Sequence, residues 1–266
     1  MSLRHSLFGA LLALVLVAPA SVAIAAETAA APFVFSQSGL APAPSRGWVV
    51  LLPGEKAFAF DTIKSHYLKV AALLNAQGFD TVIVPYQDAY NEDLDGDPDG
   101  DGERIAAVTL RAVGWMRQAH GVADNAPGAL VAWAEGAQGL WTLAATGSKY
   151  PLADLVAAVA FYPTADDETL FDSRVPVLVQ SGAQDDETRS LRHFLGRPAP
   201  GSVEPEFVVH DGATRGFDVE KFAKPKTVRR VPLIGATTTL AYNAAVAGAA
   251  EQKMLTFLKA RLEAPE

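Results

Sequence analysis

The chain has no cysteine, no long apolar run beyond its first 26 residues and no cluster of basic side chains. The absence of cysteine excludes disulfides, a thiolate nucleophile and a lipidated cysteine. A membrane-spanning helix needs about 18 or more apolar residues in a row, so we expect no membrane association once the first segment is removed. The 22 basic and 30 acidic side chains give a net charge of −8. Such a surface argues against binding to nucleic acid or anionic membranes.

The first 26 residues have the pattern of a secretory signal peptide. Arg4 precedes an apolar run from Leu7 to Val17, and small residues around Ala25 offer a cleavage site. The apolar run is too short to span a bilayer, although an uncleaved anchor is the alternative. We therefore expect a periplasmic or secreted protein.

After an Ala/Pro-rich segment at 27–46, with a short strand at Phe33–Ser36, residues 47–266 are expected to form one domain. Buried strands alternate with amphipathic helices, which predicts an α/β fold with a mostly parallel, doubly wound sheet flanked by helices. Binding sites in such sheets lie beyond the carboxyl ends of the strands. The predicted strands are 47–52, 81–84, 129–133, 155–162, 175–181 and 206–210, and the predicted helices are 62–77, about 105–116, 136–145, 187–195 and 244–262.

The segment Ala132-Trp133-Ala134-Glu135-Gly136 spans the end of the predicted strand 129–133 and the turn after it. It resembles the nucleophile elbow of an α/β-hydrolase, which reads small-x-nucleophile-x-small around a strained turn. The nucleophile position is Ala134, and a methyl group cannot attack a carbonyl carbon.

Two further positions follow strands in the order that an α/β-hydrolase uses, with the acid before the histidine. Asp185 follows a Pro-Val-Leu strand and Gly182. Arg215 lies in the phrase Gly212-Ala213-Thr214-Arg215-Gly216-Phe217.

Together with Ala158-Val159-Ala160-Phe161-Tyr162 and Tyr242-Asn243 before the last helix, these phrases resemble the dienelactone hydrolase family from about Trp48 to Leu262. The resemblance implies an α/β-hydrolase fold that cleaves esters or lactones, with Asp185 as the acid. It also places the family's nucleophile at Ala134 and its histidine at Arg215. A guanidinium stays protonated and cannot serve as a base.

The resemblance also suggests a ligand site around these positions. The implied oxyanion donors are the N–H of Glu135 and an N–H near Gly54-Glu55, where the family usually carries His-Gly. Arg215 is expected to form a bidentate ion pair with Asp185, either as a structural contact or while holding a ligand carboxylate. His210 reads as a strand-end histidine, or as a replacement base. The candidate ligand-binding residues are Gly54, Glu55, Glu135, His210 and Arg215. We expect His66, His120 and His193 at the surface.

An acidic loop is expected between Tyr86 and Glu103. Asp95-x-Asp97-x-Asp99-Gly100 matches the first half of a calcium loop, but Pro98 interrupts it and Ala106 takes the place of the final bidentate glutamate. The loop is either a weak Ca²⁺ site or a solvated rim of the pocket, and no other cofactor is expected. Its carboxylates are Asp93, Asp95, Asp97, Asp99, Asp101 and Glu103.

Three functions follow from these residues. The first is an exported protein, inactive by the usual triad, that binds a small molecule or a protein partner at the old ester site. The second is an active ester or lactone hydrolase in which Asp185 and His210 activate a water. The third is a structural or assembly role, with Trp133 and Trp141 as core. The first is favoured because two chemically essential positions differ together while the surrounding frame is kept.

Overall fold

Continuous apolar segments form the middle of a sheet. A computed structural model describes residues 33–39, 45–87, 100–165, 168–229 and 237–263. Seven strands in these residues form one sheet, ordered β1-β3-β2-β4-β5-β6-β7. The edge strand β1 runs antiparallel to β3, and the other neighbours pair in parallel. The strands are β1 (Val34–Ser36), β2 (Trp48–Leu52), β3 (Asp80–Ile83), β4 (Gly128–Trp133), β5 (Leu155–Phe161), β6 (Val177–Gly182) and β7 (Glu206–His210).

Helices cover both faces of the sheet. Along β2, Val50 and Leu52 join one buried cluster, whereas Val49 and Leu51 join the other, because successive side chains of a strand point to opposite faces. The first cluster includes residues of α2, α3 and α4, and the second includes residues of α1 and α5. The predicted doubly wound fold is confirmed. The helices are α1 (Lys64–Ala76), α2 (Asp101–His120), α3 (Ala137–Ala144), α4 (Thr188–Leu195) and α5 (Ala244–Leu262).

Two regions differ from the sequence expectations. Helix α2 begins at Asp101, so the end of the predicted acidic loop is helical. Acidic side chains in a first helical turn are stabilised by the partial positive charge of the free N–H groups there. A hairpin of β8 (Lys226–Arg229) and β9 (Thr237–Leu240) follows β7, where no strand was predicted. Its Thr-rich strands are short and lie outside the main sheet, and they lack the continuous apolar runs of the buried strands.

The start of the last helix is set by a capping residue. The Asn243 side chain accepts a hydrogen bond from the Val246 N–H at 3.2 Å, which caps α5. Across the described ranges, no helix is both long and apolar enough to cross a bilayer. The predicted signal segment lies outside the described residues.

Candidate functional site

The predicted elbow is present after β4. Ala134 has φ = 49°, a left-handed conformation that a residue with a Cβ rarely adopts. A short 3-10 turn, Ala134–Gly136, then leads into α3. The geometry is that of a nucleophile elbow, but the side chain at its apex is a buried methyl group.

Small residues are required because the turn lies directly against the end of β2. A Cβ on Gly136 would lie 2.3 Å from the Pro53 carbonyl oxygen and 2.5 Å from that of Leu52. A Cβ on Gly54 would lie 3.1 Å from the Ala134 Cβ. The methyl group of Ala134 therefore faces the residues that would hold an oxyanion in an active hydrolase.

The N–H groups after β2 already have acceptors within the protein. The Glu55 N–H donates to Glu135 Oε2 at 3.3 Å, and the Gly54 N–H donates to the Tyr67 hydroxyl at 3.2 Å. The Glu135 carboxylate thus already accepts the hydrogen bond of one predicted oxyanion donor, the Glu55 N–H. This arrangement disfavours a substrate carbonyl oxygen at the same place.

The acid and histidine positions form a buried ion pair. Arg215 Nη1 lies 3.3 Å from Asp185 Oδ2, and both side chains are buried. The guanidinium also lies over the rings of Phe58 and Tyr162, at 5.8 and 5.5 Å from their centroids. Arg215 and Asp185 contact each other as expected, between Nη1 and Oδ2, and the pair compensates the charge of each partner. The bidentate geometry and the role of the pair stay predictions.

A second buried carboxylate, Asp218, lies beneath the elbow, where no sequence motif pointed to it. Asp218 accepts hydrogen bonds from the Tyr162 hydroxyl at 2.7 Å and from Trp133 Nε1 at 2.9 Å. His66 Nε2 lies 3.4 Å from Asp218 Oδ2. Burial raises the pKa of the Tyr162 hydroxyl well above its usual value and lowers the pKa of His66, although Asp218 opposes the lowering at His66.

The expected surface position of His66 is wrong. Its residue exposure is 7%, whereas His120 and His193 are exposed as expected. The helical spacing of the sequence did indicate burial, because His66 shares the apolar face of this segment with Ile63 and Val70. A histidine can occupy such a face when a buried carboxylate lies opposite it, and only the fold brings Asp218 there.

His210 contacts a different partner from the one that a replacement triad would need. Its Nε2 lies 3.1 Å from Gln180 Oε1, while Gln180 Nε2 donates to the Ala250 carbonyl oxygen. Because the amide oxygen accepts, His210 Nε2 carries the proton. Burial lowers the pKa of His210, which favours the neutral ring.

A cavity of about 520 Å³ opens at the carboxyl ends of the strands. Of the predicted ligand-binding residues, Glu55, Glu135 and Arg215 line it, whereas Gly54 packs under Ala134 and His210 lies beside Gln180. The unpredicted hairpin supplies one wall. The lining residues are Glu55, Lys56, Ala57, Phe58, Thr62, Glu135, Arg215, Lys226, Val228, Thr238 and Leu240.

The acidic segment divides between described and undescribed residues. Asp93, Asp95, Asp97 and Asp99 lie outside the described residues. Asp101 and Glu103 lie in the first turn of α2, and Glu103 Oε2 accepts from Lys149 Nζ at 2.8 Å. No group of three or more metal-binding side chains occurs in the described parts of the chain. A Ca²⁺ site in the loop stays a prediction.

The sheet, the strained turn after β4 and the post-strand positions together define the α/β-hydrolase fold. Three solved structures of similar fold, at 14–17% sequence identity, support this. One is a putative dienelactone hydrolase from Klebsiella pneumoniae subsp. pneumoniae, with a TM-score of 0.55 and 15% identity, covering 84% of this chain and 97% of that one.

The second is a dienelactone hydrolase-like promiscuous phosphotriesterase from metagenomic libraries, with a TM-score of 0.59, 17% identity and coverage of 85% of this chain and 98% of that one. The third is a carboxylesterase from Lactobacillus plantarum, with a TM-score of 0.54, 14% identity and coverage of 85% and 90%. No protein-family model and no curated protein matches the sequence. The resemblance to dienelactone hydrolase-like structures is therefore one of fold.

Removing one partner of the Arg215–Asp185 pair should leave a buried, uncompensated charge. We expect Arg215→Met to lower the free energy of unfolding by roughly 3–5 kcal/mol. The double variant Arg215→Met, Asp185→Asn should recover part of that loss, because it removes both charges. Urea denaturation of the two variants and the wild type measures this, and equal losses in single and double variants would contradict the coupling.

The lowered pKa of His66 makes stability depend on pH. Below about pH 6.5, the usual histidine value, the unfolded chain binds a proton that the buried ring resists. The free energy of unfolding should therefore fall as the pH falls from 7 to 5. His66→Gln should flatten this dependence, whereas His193→Gln, at an exposed position, should not. Identical slopes for His66→Gln and the wild type would rule the effect out.

Proposed function

We propose that the protein binds a small molecule in the cavity above the elbow and does not hydrolyse esters by the usual triad. The observation that carries the proposal is the combination at one site of a cavity and three disabled catalytic features. The nucleophile position is the buried Ala134, the histidine position is the paired Arg215, and the Glu55 N–H is held by a carboxylate.

The size and the lining of the cavity favour the binding of a small ligand over a purely structural role. Its volume of about 520 Å³ falls within the range of small-molecule sites, and its mixed lining is typical of them. Phe58 and Leu240 offer apolar surface, while Glu135 and Arg215 offer fixed polar groups. Alternatively, a protein partner binds here by inserting one of its side chains into the cavity. Export to the periplasm or beyond rests on the signal pattern of the first 26 residues.

The second reading, hydrolysis by Asp185 with His210, has less support. Asp185 Oδ2 contacts Arg215, and its Oδ1 accepts the Glu187 N–H at 3.1 Å. His210 Nε2 contacts Gln180. These contacts do not orient the histidine by the acid as a triad requires.

Restoring the missing groups tests the catalytic part. We expect no hydrolysis of p-nitrophenyl acetate by the wild type. Ala134→Ser with Arg215→His should create activity, because Asp185 is already in place to orient the new histidine. Adding Glu135→Ala should raise it by on the order of a hundredfold, since this frees the Glu55 N–H as an oxyanion donor. Rates are measured from p-nitrophenolate release.

The control for that series is Asp185→Asn added to the triple variant, which should abolish the gain. A folded triple variant without activity would contradict the placement of the elbow. Wild-type turnover that disappears in both Asp185→Asn and His210→Ala would establish the second reading instead.

A neutral fluorescent probe tests the binding part. We expect N-phenyl-1-naphthylamine to bind the wild type saturably, with enhanced fluorescence on transfer to an apolar site. Ala57→Trp or Val228→Trp should fill the cavity and weaken binding at least about tenfold, by direct exclusion. Ala165→Trp is the matched control, because Ala165 lines a separate cavity of about 570 Å³ beside Trp141 and Phe194. Loss of binding only in the Ala165 variant would place the site elsewhere.

A further inference from the structure

The Glu135 carboxylate in the cavity has a backbone donor but no cationic partner among the described residues. The Glu55 N–H donates to it, the side chain is half-buried, and it lines the cavity next to the elbow. Within the described ranges, no basic side chain lies within 4 Å of it. A partly desolvated carboxylate with one neutral donor is poorly compensated, and a cationic donor from a ligand would compensate it.

Arg215 also lines the cavity, but its positive charge is already compensated within the protein. Its guanidinium pairs with Asp185 and lies against the rings of Phe58 and Tyr162. An anionic ligand group would have to compete with Asp185 for this charge while lying near Glu135. The part of the cavity around Glu135 therefore favours a hydrogen-bond donor that carries positive charge.

Two exposed lysines of the cavity lining carry the charge opposite to that of Glu135. Lys56 and Lys226 line the cavity and are exposed, and in the described parts of the chain neither has an acidic partner within 4 Å. Lys56 is held in a left-handed conformation, with φ = 53°, in the turn after β2. Phe58 and Leu240 supply apolar surface in the same cavity.

We propose that the ligand is a small zwitterion with an apolar body, of the class of the apolar amino acids. Its ammonium group donates to Glu135, its acid group faces Lys56 and Lys226, and its side chain packs on the apolar wall. The inference rests on the proposed binding function and specifies the chemistry of its ligand. No bond is made or broken in the complex.

Isothermal titration calorimetry of the purified protein with three matched probes tests the proposal. L-phenylalanine carries both charges, 3-phenylpropionate lacks the ammonium group, and phenethylamine lacks the carboxylate. We expect L-phenylalanine to bind at least about tenfold more tightly than either analogue, because each lost charge-assisted hydrogen bond weakens binding by about that factor or more.

Variants locate the two contacts. Glu135→Gln should weaken L-phenylalanine binding at least about tenfold and leave 3-phenylpropionate unchanged. The double variant Lys56→Gln, Lys226→Gln should weaken L-phenylalanine but leave phenethylamine unchanged. Glu204→Gln removes an exposed carboxylate and is the charge-matched control, which should change neither. Urea denaturation of each variant separates loss of the contact from loss of folding.

Three outcomes overturn the inference. They are no binding of L-phenylalanine at millimolar concentration, equal affinity for 3-phenylpropionate, and an unchanged affinity in a folded Glu135→Gln variant. In each case, binding of N-phenyl-1-naphthylamine to the wild type, and its weakening in Ala57→Trp, shows whether the cavity still binds small molecules. Failure of the zwitterion chemistry is thereby distinguished from failure of the proposed function.

Discussion

The turn between β4 and α3 brings the backbone of Gly136 against the carbonyl oxygens of Leu52 and Pro53. This approach holds Ala134 in a left-handed conformation, at a cost in backbone energy of about 1–3 kcal/mol that the surrounding packing must offset. The same approach sets Glu135 beside the Glu55 N–H. The strained turn typical of a nucleophile elbow is therefore formed here with an alanine at its apex.

Charge compensation explains how this site holds a buried arginine. Arg215, at the predicted histidine position, would be costly if buried alone, but Asp185 accepts from it and two aromatic rings lie against it. Beneath it, Asp218 is satisfied by Tyr162 and Trp133. Asp185 and Asp218 thus have separate hydrogen-bond partners. Tyr162 links the two sites, because its ring lies against Arg215 and its hydroxyl donates to Asp218.

Much of the fold could be predicted because its signals are local. The apolar run at Trp48–Leu52 and the amphipathic helix at Ala244–Leu262 each follow from neighbouring residues. The hairpin of β8 and β9 was missed because its strands pair with each other outside the main sheet and lack a continuous apolar signal. The burial of His66 was not predicted, because a polar residue on an apolar helical face is buried only where a partner compensates it. That partner is Asp218, which only the fold brings close to His66.

The sequence by itself determined the order of the main-sheet strands and of the helices along the chain, the position of the elbow, and the chemical identities of Ala134, Asp185 and Arg215. Those features depend on residue type and on short-range spacing. Tertiary structure alone decided that Glu135 meets the Glu55 N–H across 80 residues of chain and that Trp133 meets Asp218 across 85. Hydrogen bonds and charge pairs act over a few ångströms, so their partners are set by how the sheet and helices pack rather than by distance along the chain.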